Sequence, residues 1–322
     1  MMRIAAAACG VEVQEYKNDQ IKESSYVGYR EIKTSREIID DIYKKQSLAP
    51  EIFADEKPFV ANEYITLTDG NTSALCVYRD NCIRLLKDTT AFGIRPQNRL
   101  QRFALDALLA PAEEIPLVIL RGPAGTAKTF LSMAAALDKT YTDEFTRHTS
   151  STSYDKIYIG RANVSSDEAF GFLPGELEDK TRPLLGCFYS NLEDLLRKGN
   201  HEEDAQIQIQ IDDMMETGLL RVFPLAYIRG MSIKNSFIIC DEAQNIGRTL
   251  IRDIVTRCGQ GSKLVILGDT NQIDVPFLDK TNSGLTYLAH NMKGSTKCAQ
   301  ITFTEKESVR SALATEALNR LM

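Results

Sequence analysis

Short, mainly apolar runs recur through the C-terminal part of the chain, at Ile115–Leu120, Ile157–Ile159, Leu219–Phe223, Phe237–Cys240, Leu264–Leu267 and Ile301–Phe303. Runs of this kind do not alternate with polar residues, and they predict strands buried on both faces of a mainly parallel sheet. Helical periodicity fills the intervals, with Leu100, Phe103, Ala104, Ala107 and Leu108 before the first run and Leu250, Ile251, Ile254 and Val255 between later ones. The texture is different upstream. Tyr64–Leu67, the turn signal Asp69-Gly70-Asn71 and Ala74–Tyr78 predict a hairpin in a small β-rich module. Residues 1–45 are polar and weakly periodic, with a short Ala-rich stretch near the start that reads as helix. The expected organisation is α/β, with three units: residues 1–45, a small β module or linker over 46–95, and an α/β domain over 96–322.

At 322 residues the chain has room for about two domains. No apolar stretch approaches the ~20 residues that span a bilayer, so a soluble, cytoplasmic protein with no membrane partner is expected. Net charge is −6, the opposite sign from a dedicated nucleic-acid wrapper, although a local basic channel can act against the global sign. Seven cysteines are scattered without C-x-x-C spacing, a pattern that fits buried, reduced thiols rather than a disulfide framework or zinc site. The three histidines, His148, His201 and His290, stand apart from one another and offer no metal cluster.

The most specific chemistry lies after the first strand. Gly122-Pro123-Ala124-Gly125-Thr126-Ala127-Lys128-Thr129 leads into a helix at Phe130 and has the form of a Walker A phosphate loop. Small residues let successive N–H groups turn toward a polyphosphate, and the helix N-terminus adds positive partial charge. Lys128 is placed to bridge β- and γ-phosphates, and Thr129 to ligate Mg²⁺. Ala127 stands where the strict pattern has its second glycine. It costs little if that position has helical φ, and much if φ is positive.

The strand Phe237–Cys240 ends in Asp241-Glu242-Ala243-Gln244. Asp241 fits the Walker B role of orienting Mg²⁺, and Glu242 fits a general base; the bland reading is that both cap the next helix. The next strand ends in Gly268-Asp269-Thr270-Asn271-Gln272, where Gln272 is placed to sense a γ-phosphate or to sit in a solvated turn. Upstream, Asn98 and Gln101 lie three apart on a helix. Gln101 is either a surface amide or a reader of the adenine edge, selecting ATP over GTP.

Together, Asn-x-x-Gln, the phosphate loop, Asp-Glu-Ala-Gln and Gly-Asp-x-x-Gln look like the N-terminal motor domain of superfamily 1 helicases. Gly171-Phe172-Leu173-Pro174-Gly175, Glu178-Asp179-Lys180, Ile228–Phe237, Thr256-Arg257-Cys258-Gly259 and Gly268–Asp274 resemble the PhoH family, from about residue 90 to the C-terminus. The flanks resemble the branch in which a PIN ribonuclease domain precedes the ATPase. Residues 8–19 look like the end of a PIN domain, Asn62-Glu63-Tyr64 and Ser73-Ala74-Leu75 like its β linker, and Glu307–Ser311 like its tail. Met231 stands where the family commonly has arginine, and the insert around Arg182-Pro183 lacks the usual tryptophan. The chain starts too late to carry the PIN carboxylates, through truncation, a split gene or a misassigned start, so no nuclease activity is expected.

The resemblance implies a RecA-like P-loop core that hydrolyses ATP with Mg²⁺ and couples turnover to RNA binding or unwinding. Lys180, Arg182, Arg229 and Lys234 are the basic residues offered to RNA. A single RecA-like lobe needs a neighbour to close on ATP, and the resemblance points to a hexameric ring. Arg310 is the candidate arginine finger, acting in trans, with Arg257 as second candidate. The alternative is an ATP-dependent assembly switch or docking protein with negligible turnover.

Overall fold

The computed structural model of the chain describes residues 21, 25–141, 153–162, 186–200, 204–228, 231–308 and 316. The expected PIN-like segment 8–19, the insert over 171–182, Arg229 and Arg310 lie outside these residues.

Among the described residues the N-terminal module is a five-stranded sheet carrying one α-helix. Strands β1 (Tyr29–Lys33), β2 (Ser47–Leu48), β3 (Glu63–Thr68), β4 (Ser73–Arg79) and β5 (Cys82–Leu85) are ordered β1-β3-β4-β5-β2. The expected hairpin is β3–β4, with Glu63 opposite Tyr78 and Thr68 opposite Ser73. Its turn is held by Asp69, whose Oδ1 accepts from the N–H groups of Asn71 and Thr72 at 2.7 and 2.6 Å. Helix α1 (Arg36–Lys45) is capped by the Ser35 hydroxyl and buries Ile39 and Ile42 against Ile32, Ile65, Leu67 and Ile83. Strand β1 pairs in parallel with β3, so the boundary expected after residue 45 falls inside one sheet. The pairing joins Tyr29 to Tyr64 across a long sequence gap, which local periodicity does not register.

The larger sheet is entirely parallel, in the order β11-β6-β10-β9-β7-β8. Its strands are β6 (Leu117–Arg121), β7 (Lys156–Arg161), β8 (Leu220–Pro224), β9 (Ser236–Asp241), β10 (Lys263–Gly268) and β11 (Cys298–Thr302). Alternate residues feed two cores. Val118, Leu120, Ile239, Val265 and Leu267 face α2 (Arg99–Leu109), α3 (Lys128–Thr140), α4 (Gly186–Asn200) and α5 (Asp204–Glu216). Leu117, Ile119, Ile238, Cys240, Leu264 and Ile266 face α6 (Arg248–Arg257) and α7 (Gly284–Asn291). Burial on both faces is why these strands read as apolar runs, and it is the expected α/β P-loop architecture with a RecA-like strand order.

The two sheets are joined along the outer edge of β11. Val27 O accepts from Thr302 N–H at 2.9 Å, while Gly28 O accepts from Tyr64 N–H at 3.0 Å. Gly28 has φ +92°, and a Cβ there would meet Gln300 O at 1.6 Å, so only glycine passes this crossing. Asn62 Nδ2 donates to the carbonyls of Thr296 and Cys298 at 3.0 and 3.1 Å. Below them, Tyr64 OH and Arg79 both donate to Asp106 Oδ2 on α2, at 2.9 and 3.2 Å. The thiols split: Cys76, Cys240 and Cys298 are buried as expected, while Cys187 is exposed. Burial pushes Cys76 and Cys298 up to about 12. No described helix is long and apolar enough to cross a membrane.

Candidate active site

The phosphate loop leaves the end of β6 beneath the last residues of β11. Gly122 has φ +133° and donates its N–H to Gly268 O at 3.1 Å. A Cβ there would lie 2.5 Å from Phe303 O, so the glycine is required by close approach. Gly125 has φ +79°. Ala127, the N-cap of α3, has φ +64° and ψ +21°. This decides the question left by the sequence. The position is left-handed, and the alanine methyl there costs about 1–2 kcal/mol. The strain is carried by the loop's own bonds. Thr126 Oγ1 donates to Pro123 O at 2.9 Å. Lys128 Nζ donates to Gly122 O and Pro123 O at 2.7 and 2.8 Å and approaches Thr126 Oγ1 at 3.3 Å, folding its ammonium into the loop.

Opposite the loop, β9 delivers Asp241. Thr129 Oγ1 donates to its Oδ2 at 3.1 Å and the Glu242 N–H to its Oδ1 at 2.9 Å, so the carboxylate closes the loop's mouth rather than capping a helix. Burial first, then the neighbouring Glu242 charge, raise the Asp241 pKa; the Glu242 N–H, Thr129 and Arg161 oppose the rise. Glu242 turns through φ +57° and is held from two sides. Arg161, at the end of β7, places Nη2 3.2 Å from its Oε1, and Gln244 Nε2 lies 2.5 Å from its Oε2.

Gln244 is fully buried and acts as a junction. Its Nε2 also donates to Gln272 O at 3.0 Å, and its Oε1 accepts from Asp269 N–H at 3.0 Å. The loop after β10 is thereby tied to the Glu242 turn through one side chain; a Cβ on Gly268 would strike Gln244 Oε1 at 2.5 Å. Gln272 itself is exposed at the rim. Gln244 and Arg161 were not among the expected site residues. Gln244 was in view as the last residue of Asp-Glu-Ala-Gln, and Arg161 as a charge at the carboxyl end of a buried strand, where sites in parallel sheets collect.

These groups line a cavity of about 270 Å³, bounded by Ala124–Phe130, Asn191, Asp241, Glu242, Gly268, Asp269 and Gln272. A second cavity of about 510 Å³ shares Gly125, Ala127 and Phe130 with it and reaches Gly93–Arg95, Gln97 and Gln101. Gln101 is only 3% exposed, which removes the surface-amide reading. Its Oε1 accepts from Gln97 N–H at 2.8 Å, and its own N–H is capped by Asn98 Oδ1 at 3.0 Å. The contiguous hollows suit a phosphate chain in one and a base in the other. Thr129 and Asp241 offer hard oxygens, and the adjacent Asp241 and Glu242 carboxylates are a setting that a small divalent cation relieves, so the donor set fits Mg²⁺. Among the described residues no cluster of three or more His, Cys, Asp or Glu could hold a metal ion. Arg257 ends α6 exposed, with its carbonyl on Ile233 N–H, and lines neither cavity. Lys234 is exposed.

A family model described as PhoH-like protein matches residues 93–321. The Protein PhoH2 of Bacillus subtilis (strain 168) is 34% identical over 330 aligned positions, covering 100% of this chain and 70% of its own. The Protein PhoH2 of Thermobispora bispora is 29% identical, covering 98% of this chain and 68% of its own. A PhoH-like protein of Bacillus subtilis is 34% identical over 202 residues, 63% of this chain and 57% of its own. One solved ATPase domain overlaps 48% of this chain and 57% of its own at 12% identity and a TM-score of 0.25, too loose to bear on function.

Proposed function

The chain belongs to the PhoH family, and from that membership and the pocket's geometry we propose that it is a Mg²⁺-dependent ATP hydrolase whose turnover is coupled to RNA. The observation that carries the hydrolytic half is the meeting of Thr129, Asp241 and Glu242 at the mouth of the phosphate loop. On this reading the loop's N–H groups and Lys128 hold the β- and γ-phosphates, Lys128 leaving the carbonyls of Gly122 and Pro123 to do so. Thr129 and Asp241 hold Mg²⁺, which supplies charge neutralisation on the phosphates when bound. Glu242 accepts the proton of the attacking water as its oxygen bonds to the γ-phosphorus and the bond to the β-phosphate bridge oxygen breaks. Gln272 faces the γ-phosphate, and Gln244 carries any shift there to Glu242. Gln101 reads the adenine edge.

The RNA half is supported by the family resemblance and by the basic residues named above, of which Lys234 is exposed among the described residues. The same resemblance supports a cytoplasmic hexameric ring, in which Arg310 or Arg257 of one subunit would serve the next. A second reading, an assembly switch that binds ATP with negligible turnover, is favoured by the strained Ala127 and by Glu242 being engaged on both oxygens. Steady-state phosphate release by the full chain, with and without single-stranded RNA and with Lys128→Ala as blank, decides. Turnover above the blank that rises with RNA is expected. Binding without turnover selects the switch, and turnover indifferent to RNA removes the coupling.

A further inference from the structure

Helix α4 belongs to none of the recognised nucleotide motifs, yet it reaches the phosphate cavity through Asn191. Its buried stripe is Phe188, Leu192, Leu195 and Leu196, the spacing of an ordinary amphipathic helix packed on the core. Asn191 lies beside that stripe, half-buried, and lines the cavity together with Lys128, Glu242 and Gln272. Among the described residues none hydrogen-bonds its side-chain amide. One turn earlier, on the same face, Cys187 Sγ lies 3.6 Å from Arg161 Nη1, and the other arm of that guanidinium rests on Glu242. The helix is therefore registered against the Glu242 cluster, with an amide one turn along that faces the cavity and lacks a described protein partner. Among the described residues no arginine lines the cavity, and the donors there for a terminal phosphate include Lys128, the loop N–H groups, Gln272 and this amide.

We propose that Asn191 is a further catalytic residue: its amide N–H donates to a γ-phosphate oxygen, so that α4 distinguishes ATP from ADP. A neutral donor suits this place, because it holds the terminal phosphate without adding a cation beside Arg161 and Lys128. The inference rests on the ATP reading above and adds to it the side chain that senses the third phosphate.

The test is equilibrium binding of the full chain to Mg²⁺–ADP and to the Mg²⁺ complex of the β,γ-imido analogue of ATP, with turnover of ATP measured alongside. Losing a hydrogen bond to a charged oxygen is expected to weaken analogue binding about 10-fold or more in Asn191→Ala. ADP binding should stay within about twofold, which also reports that the pocket is folded. Asn191→Asp, of the same size but negatively charged, should weaken the analogue further and again spare ADP. If ADP and the analogue weaken together in both variants, the residue is structural and the proposal fails. If neither weakens, the amide does not reach the phosphate and the proposal fails. If the parent chain binds neither nucleotide, the ATP reading falls and takes this inference with it; binding by the parent with indifferent variants overturns the inference alone.

Discussion

Both ends of the parallel sheet bury charge, but they treat it differently. At the carboxyl end, Lys128, Asp241 and Glu242 line a cavity and rest on partners of modest strength: carbonyls, a hydroxyl, an amide, a partly exposed guanidinium. At the amino end, Tyr64, Arg79 and Asp106 form a tight set between the two sheets. Beside them Lys263, with no exposed surface, donates to Ala107 O at 2.8 Å. The first cluster is arranged so that a ligand can take its partners over. The second is arranged so that nothing needs to. Buried polarity is thus a mark of function only where it adjoins a hollow and its bonds are exchangeable; elsewhere it joins elements.

The sharpest way to separate the ends is to change one charged group at each and compare the readouts. Glu242→Gln should lower ATP turnover by about 10²–10⁴ while nucleotide binding and thermal stability hold. A fall in stability of similar weight would erase the contrast. Asp106→Ala should do the reverse, costing about 2–4 kcal/mol of unfolding free energy by taking the acceptor from the buried Tyr64 hydroxyl and the nearest carboxylate from Arg79, which keeps Asn62 and Glu114. Turnover per folded molecule should be kept, as denaturant titration and specific activity will show.

Lys263 offers a finer test. Burial lowers its pKa to about 7 from 10.5, with Arg79 next in effect. Below about pH 7 the lysine is charged in both folded and unfolded chains, and the full burial cost applies. Between about 7 and 10.5 the unfolded chain holds the extra proton, so stability should rise with pH, by a few kcal/mol at most. Lys263→Met should flatten that slope in pH-dependent unfolding without changing the pH profile of hydrolysis. The smallest effect is at the loop. Ala127→Gly should relieve left-handed strain and raise stability by about 0.5–1 kcal/mol in the nucleotide-free chain, whereas Ala127→Val should lower it.

Much of the active end was legible in the sequence because its parts are contiguous: a strand, then a loop, then a helix, each within a dozen residues. Double-sided burial wrote β6, β7, β9 and β10 as apolar runs for the same reason. What escaped depends on contacts across the fold. Gln244 has its role only because β9 and β10 are neighbours, and Arg161 because β7 adjoins β9. The burial of Gln101 needed the amide's cap and the loop above it. The module boundary was misplaced because β1 joins its sheet by pairing with β3 in parallel, a register with no local signature.

The crossing at Val27–Gly28 has one more consequence. Strand β11 is the last of its sheet, and an uncovered outer strand is a template on which another chain can add. Here Val27 takes the Thr302 N–H and Asn62 fills the Cys298 carbonyl, so the N-terminal module serves as an edge guard for the larger sheet. A chain shortened to begin beyond Gly28 would keep every residue of the phosphate cavity and the Asn62 contacts, yet leave the Thr302 N–H of that strand open to another chain. Its expected fault is strand-to-strand aggregation, with nucleotide chemistry lost only as a by-product.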